Sequence, residues 1–135
     1  MENKEQVRIQ IMKKLRILLA EDDEMIEKIT SYYLQRSGHE VDVARNGSEA
    51  LSKFNRQHYD LILMDVQMPE MDGLQAVKEI RRIEQEKQQN DHTTIIAITT
   101  NANKAECIEA GVDGYARKPF SLEEFNALFY QHNLV

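Results

Sequence analysis

Along this chain, short apolar runs alternate with longer stretches whose apolar residues recur every three or four positions, regularly from Leu15 onward. Arg16–Ala20 (RILLA) predicts a strand. Glu24–Ser37 predicts a helix with Ile26, Ile29, Tyr33 and Leu34 facing inward, and Gly38 sits where a helix-ending glycine belongs. Glu40–Ala44 carries Val41 and Val43 at period two, a second strand. Asn46 and Glu49 have the spacing of a capping box and open a helix with Ala50, Leu51 and Phe54 inward. Asp60–Met64 is a third strand, unbroken by polar residues from Leu61 on. Beyond Pro69, Gly73 precedes a helix with Leu74, Val77, Ile80 and Ile83 at helical spacing. Ile95–Ile98 is a fourth strand, followed by a short helix over Asn103–Ala110 that Gly111 stops. Gly114–Arg117 is a short fifth strand. Ser121 and Glu124 form a second capping box and open a last helix with Phe125, Leu128 and Phe129 inward.

Strand–helix units repeated in this order imply an α/β fold: a mostly parallel sheet with helices on both faces. Apolar strands agree with a sheet covered on both sides. Residues 1–13 read as an N-terminal tail or linker and 14–135 as one domain, which a length of 135 residues allows. Composition removes several function classes. Seventeen Lys and Arg against 23 Asp and Glu leave a net charge of −6, which argues against nucleic-acid binding and against an anionic membrane surface. One cysteine, Cys107, excludes an internal disulfide and a cysteine-built zinc site. No apolar run nears the roughly 20 residues of a membrane span, and the charged N-terminus lacks a signal-peptide core. The expected location is the cytoplasm.

The chemistry lies at the strand ends. Glu21, Asp22 and Asp23 come after the first strand, Asp65 after the third, Thr99 and Thr100 after the fourth, and Lys118 and Pro119 after the fifth. In an open parallel sheet, ligands bind beyond the carboxyl ends of the strands. Any one polar residue there marks a strand end; acids, hydroxyls and a lysine after four of five strands suggest a site. Clustered carboxylates repel unless something positive sits among them. With no His or Cys in these loops, the oxygen donors suit Mg²⁺, with Mn²⁺ the alternative. A carboxylate beside such a cation and a lysine can attack a phosphoryl group.

The runs ILLAEDDE (17–24), LILMDVQMPEMDG (61–73), IIAITT (95–100) and GYARKPF (114–120) resemble the receiver domain of two-component response regulators, over about Leu15 to the end. The resemblance implies a flavodoxin-like, doubly wound sheet of five parallel strands in the order 2-1-3-4-5. It implies that Asp65 is the phosphoacceptor, taking its phosphoryl group from a histidine kinase or a histidine phosphotransfer protein. Asp22 matches the direct Mg²⁺ ligand, Glu21 its acidic neighbour, and Gln67 the residue whose backbone carbonyl ligates the metal. Thr99 matches the switch hydroxyl, Lys118 the lysine that contacts the phosphoryl group, Pro119 the usually cis proline after it, and Tyr115 the aromatic switch residue. Gln67 and Asn101 match positions that tune dephosphorylation. A downstream protein target is implied as the output partner.

Two other readings fit less well. A phosphatase of the haloacid dehalogenase type needs a second aspartate two residues after the nucleophile, where this chain has Gln67. A degenerate receiver loses an acid or the lysine, and this chain keeps Glu21, Asp22, Asp65, Thr99 and Lys118. The chain ends fifteen residues after Phe120, room for a fifth helix only, so the expectation is a receiver without an output domain, standing alone or cut from a protein of the hybrid histidine kinase type. Thr99 to Lys118 spans 19 residues. That is about three fewer than in most receivers, nearly one helical turn, so a shortened fourth helix and a monomer are expected. Asp23 and Asp72 read as helix caps, Met64, Met68 and Met71 as packing, Cys107 as half-buried, and His39, His58, His92 and His132 as surface residues.

Overall fold

The computed structural model describes residues 14–87, 92–100, 104–118, 121–132 and 134. Five strands, β1 (Arg16–Ala20), β2 (Glu40–Ala44), β3 (Leu61–Asp65), β4 (Thr94–Thr99) and β5 (Gly114–Arg117), form one parallel sheet in the order β2-β1-β3-β4-β5. Five helices connect them and close the chain: α1 (Glu24–Arg36), α2 (Gly47–Arg56), α3 (Gly73–Glu86), α4 (Lys104–Ala110) and α5 (Leu122–Gln131). The expected doubly wound α/β architecture is the one observed.

Period two along the strands sorts the core into two halves. Leu18, Ala20, Ile62, Met64 and Ile95 face α2 and α3, whose Ala50, Ala76, Val77 and Ile80 close over them. Ile17, Leu19, Leu61, Leu63, Ile96 and Ile98 face the other way, under Leu34 of α1 and Phe125 and Phe129 of α5. Local chemistry sets the helix starts. Asp23, Asn46, Asp72 and Ser121 each accept the N–H three residues on, and at Asp72 and Ser121 the reciprocal bond from Gln75 or Glu124 completes the capping box. At Asn46 the pattern is a simple cap. Gly38 and Gly111 end α1 and α4 with φ of +94° and +111°, where a side chain would be strained. With seven residues, α4 is the shortest described helix; Asn103, where it was expected to start, lies outside the described residues.

Three further expectations are corrected. The first concerns the inner face of α1, which consists of Glu27, Thr30, Ser31 and Leu34, while Ile29 is 51% exposed and Tyr33 is exposed too. The helix is turned because Glu27 has a buried role: its carboxylate accepts from Arg45 Nη2 and from Ser31 Oγ, both at 2.9 Å. A satisfied polar stripe can therefore occupy an inward face that hydrophobic periodicity assigned to Ile29 and Tyr33. Secondly, His39 is buried; its Nδ1 accepts the Leu15 N–H at 3.1 Å and its ring meets Phe129 edge-on. Burial holds this imidazole below its ordinary pKa. Thirdly, Cys107 is fully buried, and burial pushes its thiol up.

The orientation of α1 is testable by mutation. Replacing exposed Ile29 with Gln should change the unfolding free energy by less than about 0.5 kcal/mol. Leu34→Ala should cost about 2–4 kcal/mol, measured by urea unfolding. The opposite ranking would restore the face predicted from periodicity.

Candidate functional site

Parallel register brings the strand-end residues together. Ala20 of β1 pairs with Met64 of β3, so the chain continuing past β1 runs beside Asp65. Glu21 is fixed there by its own N–H, which donates to Ala44 O at 2.9 Å. Asp65 is the last residue of β3 and pairs with Ile98 of β4, one residue before Thr99. Thr99 pairs with Arg117, and the next residue, Lys118, donates its backbone N–H to Thr99 O at 2.8 Å. Glu21, Asp22 and Asp65 thus offer carboxylate oxygens within 4.8 Å of one another.

Lys118 sits among them. Its Nζ lies 2.5 Å from Glu21 Oε1 and 3.0 Å from Asp65 Oδ2. The other Asp65 oxygen, Oδ1, accepts the Gln67 N–H at 3.1 Å. Glu21 Oε2 accepts the Asp23 N–H at 3.2 Å. Glu21, Asp65 and Thr99 are buried, while Asp22 opens to solvent. Burial first, and then the Glu21 carboxylate, push the Asp65 carboxyl up to about 6, against the opposing pull of Lys118. Burial and the nearby Asp65 also raise Asp22 above its ordinary value. Burial alone would lower the pKa of Lys118, but its bonds and charge interactions with Glu21 and Asp65 outweigh that, so the ammonium is held above its ordinary value. The pocket therefore contains more carboxylate than one lysine neutralises. Its donor set is all oxygen, which suits a hard divalent cation.

Of the residues singled out from the sequence, the fold gathers Glu21, Asp22, Asp65 and Lys118, and places Thr99 and Gln67 beside them along the chain. Tyr115 stands apart from the carboxylates on edge strand β5, 37% exposed, with Lys104 Nζ 5.3 Å from its ring centroid. Asn101, Pro119 and Phe120 lie outside the described residues, as do residues 1–13. Asp23 and Asp72 are caps, as expected. Asn46 is expected from the sequence only as a helix cap; the contact that it and Gly47 make with the loop after Asp65 has no local sequence signal beyond the turn-forming pair itself.

A family profile described as the response regulator receiver domain matches residues 17–129. The chain belongs to this family. Hybrid signal transduction histidine kinase K of Dictyostelium discoideum is 37% identical over 119 residues, covering 84% of this chain and 10% of that protein. The receiver domain of sensor histidine kinase PA1611 from Pseudomonas aeruginosa PAO1, solved with a magnesium ion coordinated in its active site cleft, is similar with a TM-score of 0.77 and 33% identity, covering 88% of this chain and 97% of that one. The receiver domain of Ssk1 in its co-crystal with the histidine phosphotransfer protein Ypd1 of Saccharomyces cerevisiae is similar with a TM-score of 0.78 and 27% identity, covering 84% of each chain. The chain spans less than half the length of the curated relatives it matches. Among the described residues, no helix is long and apolar enough to cross a membrane.

The crowding of carboxylates in this receiver has a measurable cost. Because the Asp65 pKa is higher folded than unfolded, its contribution to stability is fully present below about pH 4 and is lost as pH rises through about 6. Asp65→Asn should therefore be more stable than the parent at pH 7 without divalent cations, by on the order of 1–2 kcal/mol. The gap should close as pH falls toward 4. Thermal unfolding across this range checks it; a variant less stable than the parent at pH 7 would show that the Lys118 ion pair outweighs the repulsion.

Proposed function

We propose that this receiver is a phospho-accepting switch in which Asp65 takes a phosphoryl group from a partner's phosphohistidine. The observation that carries the reading is the ammonium of Lys118 bonded to two buried carboxylates, one of them Asp65, beside an exposed third. In the transfer, an Asp65 carboxylate oxygen attacks phosphorus, the O–P bond forms as the P–N bond to the imidazole breaks, and the leaving ring nitrogen keeps the electron pair. The product is an acyl phosphate with about one more negative charge than the carboxylate it replaces.

This chain's residues divide the work. Asp65, held by Gln67 N–H on one oxygen and by Lys118 on the other, is the nucleophile. Lys118 is close enough to shift its contacts toward a phosphoryl oxygen. Thr99, buried at the end of β4, supplies a hydroxyl that can meet the phosphoryl group as the strand end moves, and Tyr115 on the neighbouring strand can report that movement at the surface. Asp22, Glu21, Asp65 and the backbone carbonyl of Gln67 would hold Mg²⁺, or Mn²⁺, and the oxygen-rich cluster fits such an ion. When bound, the cation supplies neutralisation of charge on the transferring group. Gln67 and Asn101 would set how fast water removes the phosphoryl group. Turnover is limited to the receiver's own phosphorylation and dephosphorylation, and the proposed partners are a histidine kinase or histidine phosphotransfer protein and a downstream protein target.

Incubation with acetyl phosphate and Mg²⁺, read by intact mass, tests this. The parent should gain one phosphoryl group with Mg²⁺ and essentially none with excess chelator, and Asp65→Asn should gain none. Asp22→Ala should label at least tenfold more slowly. Full labelling of Asp65→Asn would contradict the assignment.

A further inference from the structure

The loop from Val66 to Asp72 carries Gln67 and so forms one wall of the site. It is clamped at both ends. At its far end, the Gly73 N–H donates to Val66 O at 3.1 Å, and a Cβ on Gly73 would lie 2.0 Å from Asp65 O. The first turn of α3 therefore presses directly on the phosphoacceptor strand. The second clamp comes from an element that phosphotransfer does not otherwise use. The N–H of Gly47, the first residue of α2, donates to Met71 O at 2.9 Å. A Cβ there would lie 2.5 Å from Met71 O and 3.0 Å from Asp72 O. Two of the three nearest obstacles are these backbone oxygens, which cannot rotate away as the third, Met71 Cγ at 2.9 Å, could. Beside it, Asn46 caps α2 with Oδ1, which accepts the Glu49 N–H at 2.8 Å, and its Nδ2 donates to Glu70 Oε2 at 3.3 Å.

Glu70 is the one non-glycine residue with positive φ, +66°, among the described residues. A residue with a Cβ keeps that conformation when its surroundings impose it. The surroundings in question are Asn46 on its side chain and Gly47 on the next residue's carbonyl.

We propose that the Asn46–Gly47 turn is a positioning element for phosphotransfer, holding the loop after Asp65 in the shape that presents its backbone to the divalent cation. Neither residue belongs to the carboxylate cluster, so both act through the loop. The inference rests on the cation-dependent function proposed above and adds residues to it. It explains why α2 starts with a glycine, a poor helix former, directly after its cap.

The test is calorimetric titration of the full chain with Mg²⁺ alone, for the parent, Gly47→Ala and Asn46→Ser, with thermal unfolding of each metal-free protein. Neither substitution changes charge. Serine keeps the cap but is too short to reach Glu70. Both variants should bind Mg²⁺ three- to tenfold more weakly than the parent. Gly38→Ala, which strains a left-handed glycine with nothing within 4 Å of its Cβ position, serves as the control: it should lower stability and leave Mg²⁺ affinity unchanged. Parental affinity in a folded Gly47→Ala would overturn the positioning role; if that variant does not fold, parental affinity in Asn46→Ser would do so. A parent that binds no Mg²⁺ would overturn the function proposed above rather than this detail of it.

Discussion

Holding like charges together is the constraint on which this site depends. Parallel pairing of β1 with β3 sets the end of one strand beside the end of the other, and the residues there are acids. Burial raises the energy of that arrangement, because the carboxylates lose water and a single ammonium is shared between two of them. Lys118 satisfies part of the demand through Glu21 and Asp65. The remainder is an affinity for further positive charge and a carboxylate, Asp65, whose ionisation is poised near pH 6. The sheet provides the rigidity that prevents the groups from relaxing apart: the strands carrying them are apolar, buried on both faces and paired along their length.

The same rigidity defines where movement can occur. Thr99 and Lys118 are bonded through their backbones, so a change at Lys118 is felt at the end of β4. The helix after β4 is the shortest described, and Arg81 of α3 fixes the turn at its C-terminal end, donating to Gly111 O at 2.8 Å and pairing with Asp113 at 2.8 Å. Those bonds hold the C-terminal end of α4 against α3. In contrast, the loop after Asp65 is locked from two sides by glycines that admit no side chain.

Much of this was legible in the sequence, for physical reasons. Strands buried on both faces must be apolar throughout, so RILLA and LILMD stand out, and the polar residues at their carboxyl ends mark the site. Caps at Asp23, Asp72 and Ser121 are local interactions between residues three apart, which a sequence shows directly. Long-range polar pairing was not legible. Glu27 looks like a surface residue until Arg45, 18 residues away, is known to meet it, and the inner face of α1 was misassigned for that reason. His39 looks solvated until the Leu15 N–H is found at its ring. Gly47 looks like a turn residue until the carbonyls of Met71 and Asp72 are seen where its side chain would go.

The most direct test of the central claim is to find which atom carries the phosphoryl group. After reaction with acetyl phosphate and Mg²⁺, reduction with borohydride converts an aspartyl phosphate into homoserine, and peptide sequencing by mass spectrometry locates it. The account predicts homoserine at position 65, none at Asp22, and no hydroxynorvaline, the product a glutamyl phosphate would give, at Glu21; the Asp22 and Glu21 carboxylates would hold the cation. Homoserine at Asp22, or phosphate retained on a histidine with Asp65 unchanged, would contradict it.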